Sequence, residues 1–290
     1  MEWFFYAIIV AILASLLALM EKKELKREHA MQFSAALATI CLIVAIPFFF
    51  FIDYSLLTWT HIWIIFFFSL IEALAFFFAN KGVRHMEVSA SAPFLVLIPV
   101  VTAILAFFFL GENLTLFQIL GIIIIVLGAY ILEMKPHHGL LEPFKVIGKS
   151  KYVKYIFLAL VLFGGAALID RILLFRLGMQ PEAYLAFFNL FVALVFLIMI
   201  IIFHNGITDI KEGIIKGGWW ILVGAIVTVG ARYAWSFAVS RENIALVSTV
   251  KRLSALLVVI LGGELFREKN ILRKVIATVI MMIGVMLLFI

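Results

Sequence analysis

The chain has 290 residues, of which 66% are hydrophobic and 14% charged, with a mean hydropathy of +1.21. Soluble domains are about 25% charged, so this composition excludes an ordinary soluble fold and predicts an all-α polytopic membrane protein. The net charge of +6 would suit a nucleic-acid partner, but the basic residues fall in loops between apolar runs, so the expected partner is the lipid bilayer and not a nucleic acid.

A spanning helix needs roughly 20 apolar residues, because in hydrocarbon each backbone N–H must be satisfied within its own segment. Ten such runs occur, at about 3–20, 31–52, 61–80, 88–110, 115–133, 154–175, 182–203, 217–238, 244–264 and 271–290. Only Glu2 precedes the first run, with no basic stretch before it and no clear cleavage site after it, so it reads as a retained helix and not a signal peptide. The one cysteine, Cys41, excludes an intrachain disulfide.

The loops after runs one, three, five, seven and nine hold 17 lysines and arginines, from Lys22 and Lys23 through Lys81, Arg84, Lys211 and Lys216 to Arg273 and Lys274. The alternate loops hold three: Arg171, Arg176 and Arg241. The crowded side is predicted to be cytoplasmic, which puts both termini outside. Glu21-Lys22 closes the first run much as Asp170-Arg171 closes the sixth. These pairs are either interfacial charges reaching for headgroups or a gate that latches against a partner helix.

The third run carries Glu72 between FFFSLI and ALAFFF, and Asn80 near its end. A charge at a helix centre costs about 2.5–3.5 kcal/mol on the insertion scale, so Glu72 is expected to face the bundle interior. It is either a pocket group or half of an ion pair with Arg232 or Lys251. In the fourth run Pro93 and Pro99 break the hydrogen-bond ladder, freeing carbonyls near Ser89 and Leu95.

Between 100 and 130 an apolar stretch ends in Gly111-Glu112 and is followed by another with a late glycine; the pattern recurs from 255 to 287 around Gly263-Glu264. Five runs separate the copies, and an odd displacement inverts one against the other. Inverted halves are a recurrent architecture of alternating-access carriers. The predicted organisation is a first half at 1–134, a linker at 135–153 and a second half at 154–290. The linker is read as a solvated loop.

In the eighth run Arg232 shares a stripe with Thr228, Trp235 and Ser236, among glycines and alanines that allow close helix packing. A guanidinium beside an indole suits a carboxylate, a phosphate or an aromatic ligand; a helix-pairing arginine is the plainer alternative. Lys251 and Arg252 are adjacent on the ninth run and point about 100 degrees apart, so at most one touches a solute. The other is expected to pair with Asp170. Counted back from the two glutamates, Asn80 answers Arg232 and Pro99 answers Lys251.

The blocks VSASAPFLVLIPVVTAILAFFFLGENLT, with Gly121 and Gly128 behind it, and NIALVSTVKRLSALLVVILGGELFREK resemble the EamA-like ten-helix carriers of the drug/metabolite transporter superfamily. The resemblance implies two inverted five-helix halves around a central cavity lined by helices one, three, four, six, eight and nine. Lys251 in place of a second proline departs from a strict repeat.

No catalytic or metal motif occurs. The six histidines lie in loops or at run ends, and HExxH, GxSxG and P-loop patterns are missing, so neither an enzyme nor a cofactor is expected. The predicted function is a secondary transporter of a small anionic or zwitterionic metabolite, such as an amino acid, acting as a monomer in the cell membrane. Candidate substrate-binding residues are Glu72, Asn80, Arg232, Trp235, Lys251 and Arg252. The alternatives are a flippase of a lipid-linked solute and a non-transporting scaffold or sensor.

Overall fold

The computed structural model describes residues 2–25, 29–86, 95–110, 115–133, 151–241, 247 and 250–287. Pro93, the Gly111-Glu112 pair and most of the predicted linker lie outside them. Among the described residues every regular element is helical. In chain order they are α1 (Glu2–Leu25), α2 (Ala30–Ala45) running into a 3-10 turn (Ile46–Phe51), α3 (Trp59–Val83), α4 (Ile98–Leu110) entered through a 3-10 turn (Leu95–Leu97), and α5 (Leu116–Glu133). Then come α6 (Lys151–Arg171) with a π turn (Ile172–Arg176), α7 (Pro181–Phe203), α8 (Ile207–Gly217) and α9 (Trp219–Arg241). The last stretch holds α10 (Leu253–Leu257), a π turn (Val258–Gly262), α11 (Gly263–Leu265) and α12 (Ile271–Leu287).

Among the described residues six stretches are long and apolar enough to cross a membrane: Trp3–Leu25, Ala30–Phe51, Trp59–Val83, Lys151–Arg176, Pro181–Phe203 and Trp219–Ser240. Shorter apolar helices accompany them at Leu95–Leu105, Leu116–Ala129 and Leu253–Leu265. Large apolar side chains such as Phe50, Ile202 and Phe67 point outward, whereas Asn80, Asp170, Asn189 and Ser69 are buried. That inside-out distribution suits a lipid solvent and makes the chain an integral membrane protein.

Two boundaries differ from the sequence reading. The helix expected from 154 starts at Lys151, so the end of the predicted linker is helical. The lysine-bearing segment after α7, expected as a loop, forms α8, and Lys274 sits inside α12 with its ammonium 3.4 Å from Glu268.

Helix pairing is specific. α1 packs along α9, α3 along α6, α2 against α7 and α5 against α12; α3 also meets α7, α9 meets α2, α4 meets α6 and α1 meets α10. The late glycines explain the α5–α12 contact. A Cβ on Gly284 would lie 2.7 Å from the Gly121 carbonyl oxygen, and one on Gly128 would lie 2.9 Å from that of Ala277. Gly284→Leu should therefore cost about 1–3 kcal/mol or more through overpacking. Gly165→Ala, with open space at its Cβ position, should leave the thermal midpoint in detergent unchanged. Equal midpoints for the two variants would contradict this packing.

The second Gly-Glu pair ends a helix. Glu268 N–H donates to the Gly263 carbonyl at 2.8 Å and Arg267 N–H to that of Glu264 at 3.1 Å, with Arg267 left-handed at φ 51. This is a Schellman-type stop, so Glu264 serves a helix end at the surface.

At the same end of the bundle the chain turns from α1 to α2 beside the turn from α7 to α8. The His29 and His204 rings are 5.3 Å apart, and His204 Nδ1 is 3.4 Å from Asp209 Oδ2. Partial burial, with Arg84, His204 and Lys81 nearby, holds His29 below the usual histidine range, while Asp209 only partly offsets this. His29 also caps α2, its Nδ1 accepting from Met31 N–H at 3.5 Å. With the folded value depressed, the unfolded chain binds more protons as pH drops through about 6.5, so stability falls over that window and on down to the folded value. Acidification from about pH 7 to about pH 5 should lower the thermal midpoint, and His29→Asn, which keeps a capping acceptor, should flatten that loss. An unchanged acid response in His29→Asn would refute the assignment.

Candidate functional site

Four helices bring their unusual polar residues to one layer inside the bundle. Glu72, halfway along α3, faces Arg232 of α9, with Oε1 and Nη2 3.8 Å apart. Both side chains are largely enclosed, 17% and 22% exposed, so Glu72 forms an ion pair inside the bundle. Arg232 Nη1 also donates to the Tyr184 hydroxyl at 3.0 Å, and its guanidinium lies 3.7 Å from the Phe188 ring centroid. Tyr184 and Phe188 stand one turn apart on α7 with nearly parallel rings, so they form a wall beside the arginine. The guanidinium is thus fixed by a carboxylate, a hydroxyl and an aromatic face, a combination that lysine cannot satisfy.

One turn further along α9, Trp235 donates its indole N–H to Asp170 Oδ2 at 2.9 Å. Asp170 comes from the end of α6, immediately before the π turn, a kind of irregularity that collects at functional sites. Its Oδ1 is buried without a hydrogen-bond partner among the described residues. Lys251 stands over the ring of the same indole, its ammonium 4.5 Å from the centroid.

Of the two cations expected as partners for Asp170, Lys251 lies near enough to attract the carboxylate, while the carboxylate's hydrogen bond comes from Trp235. Trp235 takes the carboxylate, and the two cations find aromatic and carbonyl partners. Arg252 Nη1 donates to the Leu95 carbonyl at 3.0 Å. An uninterrupted α-helix would supply that oxygen with the N–H of residue 99, which is a proline. The helix break read at Pro99 thus frees an acceptor, and the arginine of the other half occupies it.

Four candidates lie apart from this layer. Asn80 donates from Nδ2 to Ser34 Oγ at 3.0 Å inside the α2–α3 contact, about 12 Å along the helix from Glu72. Lys22 is buried and donates to the carbonyls of Val83, Arg84 and Met86, so it caps the C-terminal end of α3. Glu21 Oε1 is buried with no hydrogen-bond partner among the described residues, and Arg171 lies half-buried at the last turn of α6. Thr228 and Ser236, expected beside Arg232, donate to carbonyls of their own helix, those of Gly224 and Tyr233.

Sequence reasoning missed Tyr184 and Phe188. The signal available was a tyrosine with a phenylalanine four residues on, inside the otherwise aliphatic and aromatic run PEAYLAFFNLF. A separate cavity of ≈ 170 Å³ lies at the rim, lined by Asp53, Leu57, His61, Leu177 and Gln180 among others, and none of the charged layer borders it. Among the described residues no group of His, Cys, Asp or Glu is placed to hold a metal ion.

Residues 1–134 and 150–290 match the model of the EamA-like transporter family, so the match covers nearly the whole chain. The chain belongs to the EamA-like transporter family. That family is part of the drug/metabolite transporter superfamily, and its members are membrane transporters. Among curated proteins no relative matches. One solved crystal structure shares the fold of this EamA-like chain over 97% of its length and 95% of the other chain, with a TM-score of 0.64 at 15% identity.

Proposed function

We propose that this EamA-like protein is a secondary carrier for a small zwitterionic or anionic metabolite, an amino acid or related carboxylate, working by alternating access between two inverted halves. The observation that carries the reading is the set of unlike charges gathered around Trp235, where Lys251 and Asp170 lie near enough to attract each other. Lys251 stacks its ammonium on the Trp235 ring, and Asp170 Oδ1 has no hydrogen bond among the described residues. A solute carboxylate would satisfy the ammonium, and a solute ammonium would satisfy the carboxylate oxygen. Glu72, Asp170, Arg232 and Lys251 sum to zero charge, which favours a zwitterion over a plain anion.

The helix pairing supports two inverted halves of five spans each, at 1–134 and 154–290 with a joining segment between. Number the apolar helices one to ten, leaving out amphipathic α8 and counting α10 with α11 as the ninth. Adding five to each partner, modulo ten, then turns the α1–α9 contact into α6–α3, the α2–α9 contact into α7–α3, and the α4–α6 contact into that of α10 with α1. The α2–α7 and α5–α12 contacts map onto themselves. A twofold relation between units offset by an odd number of spans has its axis in the membrane plane, the arrangement expected of alternating-access carriers. Such a chain contains both halves of a pathway, so a monomer suffices, and no catalytic step or cofactor is invoked.

Charge bias places both termini outside. In a Cys41→Ser background, Ser55→Cys should then react with an impermeant maleimide on intact cells and Asn205→Cys only after permeabilisation; the reverse order would refute the orientation. Transport itself is tested by counterflow. A carrier should accelerate labelled amino-acid entry into proteoliposomes preloaded with the same solute, whereas a scaffold or a lipid-linked-solute flippase should give no such acceleration.

A further inference from the structure

The helix α8 has no part in the site and is set apart by its geometry. Gly206 before it and Gly218 after it are both left-handed, at φ 63 and φ 54, so the chain turns sharply out of α7 and again into α9. The inner side of α8 presents Asp209, Ile210, Gly213 and Gly217 to the bundle. Gly213 is pressed against α2 so closely that a Cβ would lie 3.0 Å from the Gln32 carbonyl oxygen.

The opposite side carries Ile207, Lys211 and Ile215 at four-residue spacing, with Trp219 following. Ile207 is 72% exposed, Ile215 67% and Trp219 61%. The Trp219 and Trp220 rings stack at 4.0 Å, and Lys23 of α1 places its ammonium 3.9 Å above Trp220. The acids of α8 are engaged elsewhere, Asp209 with His204 and Asn205 and Glu212 with Lys216 at 2.9 Å. The exposed surface that remains is an apolar and indole strip edged by Lys211 and Lys23.

We propose that this strip is a binding surface for anionic phospholipid. Ile207, Ile215 and Trp219 enter the boundary between acyl chains and headgroups, and Lys211 and Lys23 hold the lipid phosphates. A helix that presents isoleucine and lysine on one outer stripe, with an exposed tryptophan opening the next helix, suits an interfacial location and no aqueous one. One lysine near an anionic surface contributes about 1 kcal/mol, roughly a fivefold factor in affinity. The inference rests on the membrane location of the chain and is independent of what the carrier moves.

The test uses the purified full-length protein in nanodiscs of phosphatidylcholine, alone or with a minority of phosphatidylglycerol, reading retained lipid by mass spectrometry and the thermal midpoint in parallel. The parent should retain phosphatidylglycerol preferentially and gain thermal stability from it. Lys23→Glu with Lys211→Glu should lose that retention about fivefold per lysine or more, while Lys211→Arg keeps it. Lys269→Glu, the same charge change per residue at an exposed lysine in the loop before α12, should behave as the parent. No phosphatidylglycerol preference in the parent would overturn the proposal. So would parental retention in the double variant, or an equal per-residue loss in Lys269→Glu. Solute flux enters none of these readouts.

Discussion

Arg232→Ala should abolish solute flux and lower the stability of the purified protein by about 3–5 kcal/mol, the usual cost of leaving one partner of an enclosed ion pair uncompensated. Glu72 would face a truncated side chain, the Tyr184 hydroxyl would lose its donor and the Phe188 face its cation. Arg232→Lys should recover little, because an ammonium lacks the planar fork that meets a carboxylate and a hydroxyl while its face lies against a ring. The informative variant is Glu72→Gln with Arg232→Gln. Removing both charges takes away the desolvation penalty with the attraction, so the thermal midpoint should return most of the way to the parent's. Flux should not return, because the cation that orients the solute is gone. Recovery of both would make the pair a structural strut only; recovery of neither would place its main contribution in folding.

The second large effect concerns the bond between the helix break and the opposite half. Arg252→Gln should cost about 1.5–3 kcal/mol, the range for a hydrogen bond to a charged group, and should slow transport by loosening α4 from the segment leading into α10. Pro99→Ala attacks the same bond from the other side. It restores an N–H at residue 99 that competes for the Leu95 carbonyl, so the guanidinium loses exclusive use of its acceptor. In the Pro99→Ala background the penalty of Arg252→Gln should shrink, giving a coupling energy above about 0.5 kcal/mol in a double-mutant cycle. Strict additivity would show that Pro99 and Arg252 act independently.

Much of this was legible in the sequence because a membrane makes polar residues expensive. Glu72, Asp170, Arg232 and Lys251 stand out in apolar runs, and the structure gathers them into one layer. The freed carbonyl at Leu95 followed from Pro99 alone. Its donor did not, since Arg252 is 157 residues away and nothing local distinguishes a guanidinium that meets a solute from one that meets a backbone oxygen.

Register matching between the halves paired Asn80 with Arg232, yet a short amide next to Ser34 is satisfied within its own helix contact. Tyr184 and Phe188 were hidden in a run where aromatic residues are ordinary lipid-facing material. The helix α8 was hidden for the opposite reason: with two lysines, two acids and four isoleucines in eleven residues, it resembles a charged loop unless its periodicity is followed. Lys22 shows the limit of charge counting, since it belongs to the basic side by sequence but is buried on the last carbonyls of α3.

The central claim is a carrier whose site reads a carboxylate and an ammonium together, and uptake into proteoliposomes tests it most directly. With the parent and Arg232→Ala reconstituted side by side, saturable uptake of labelled amino acids is predicted for the parent, unaffected by excess organic cation and lost in the variant. Preferential uptake of organic cations, or amino-acid flux in Arg232→Ala equal to the parent's, would contradict it.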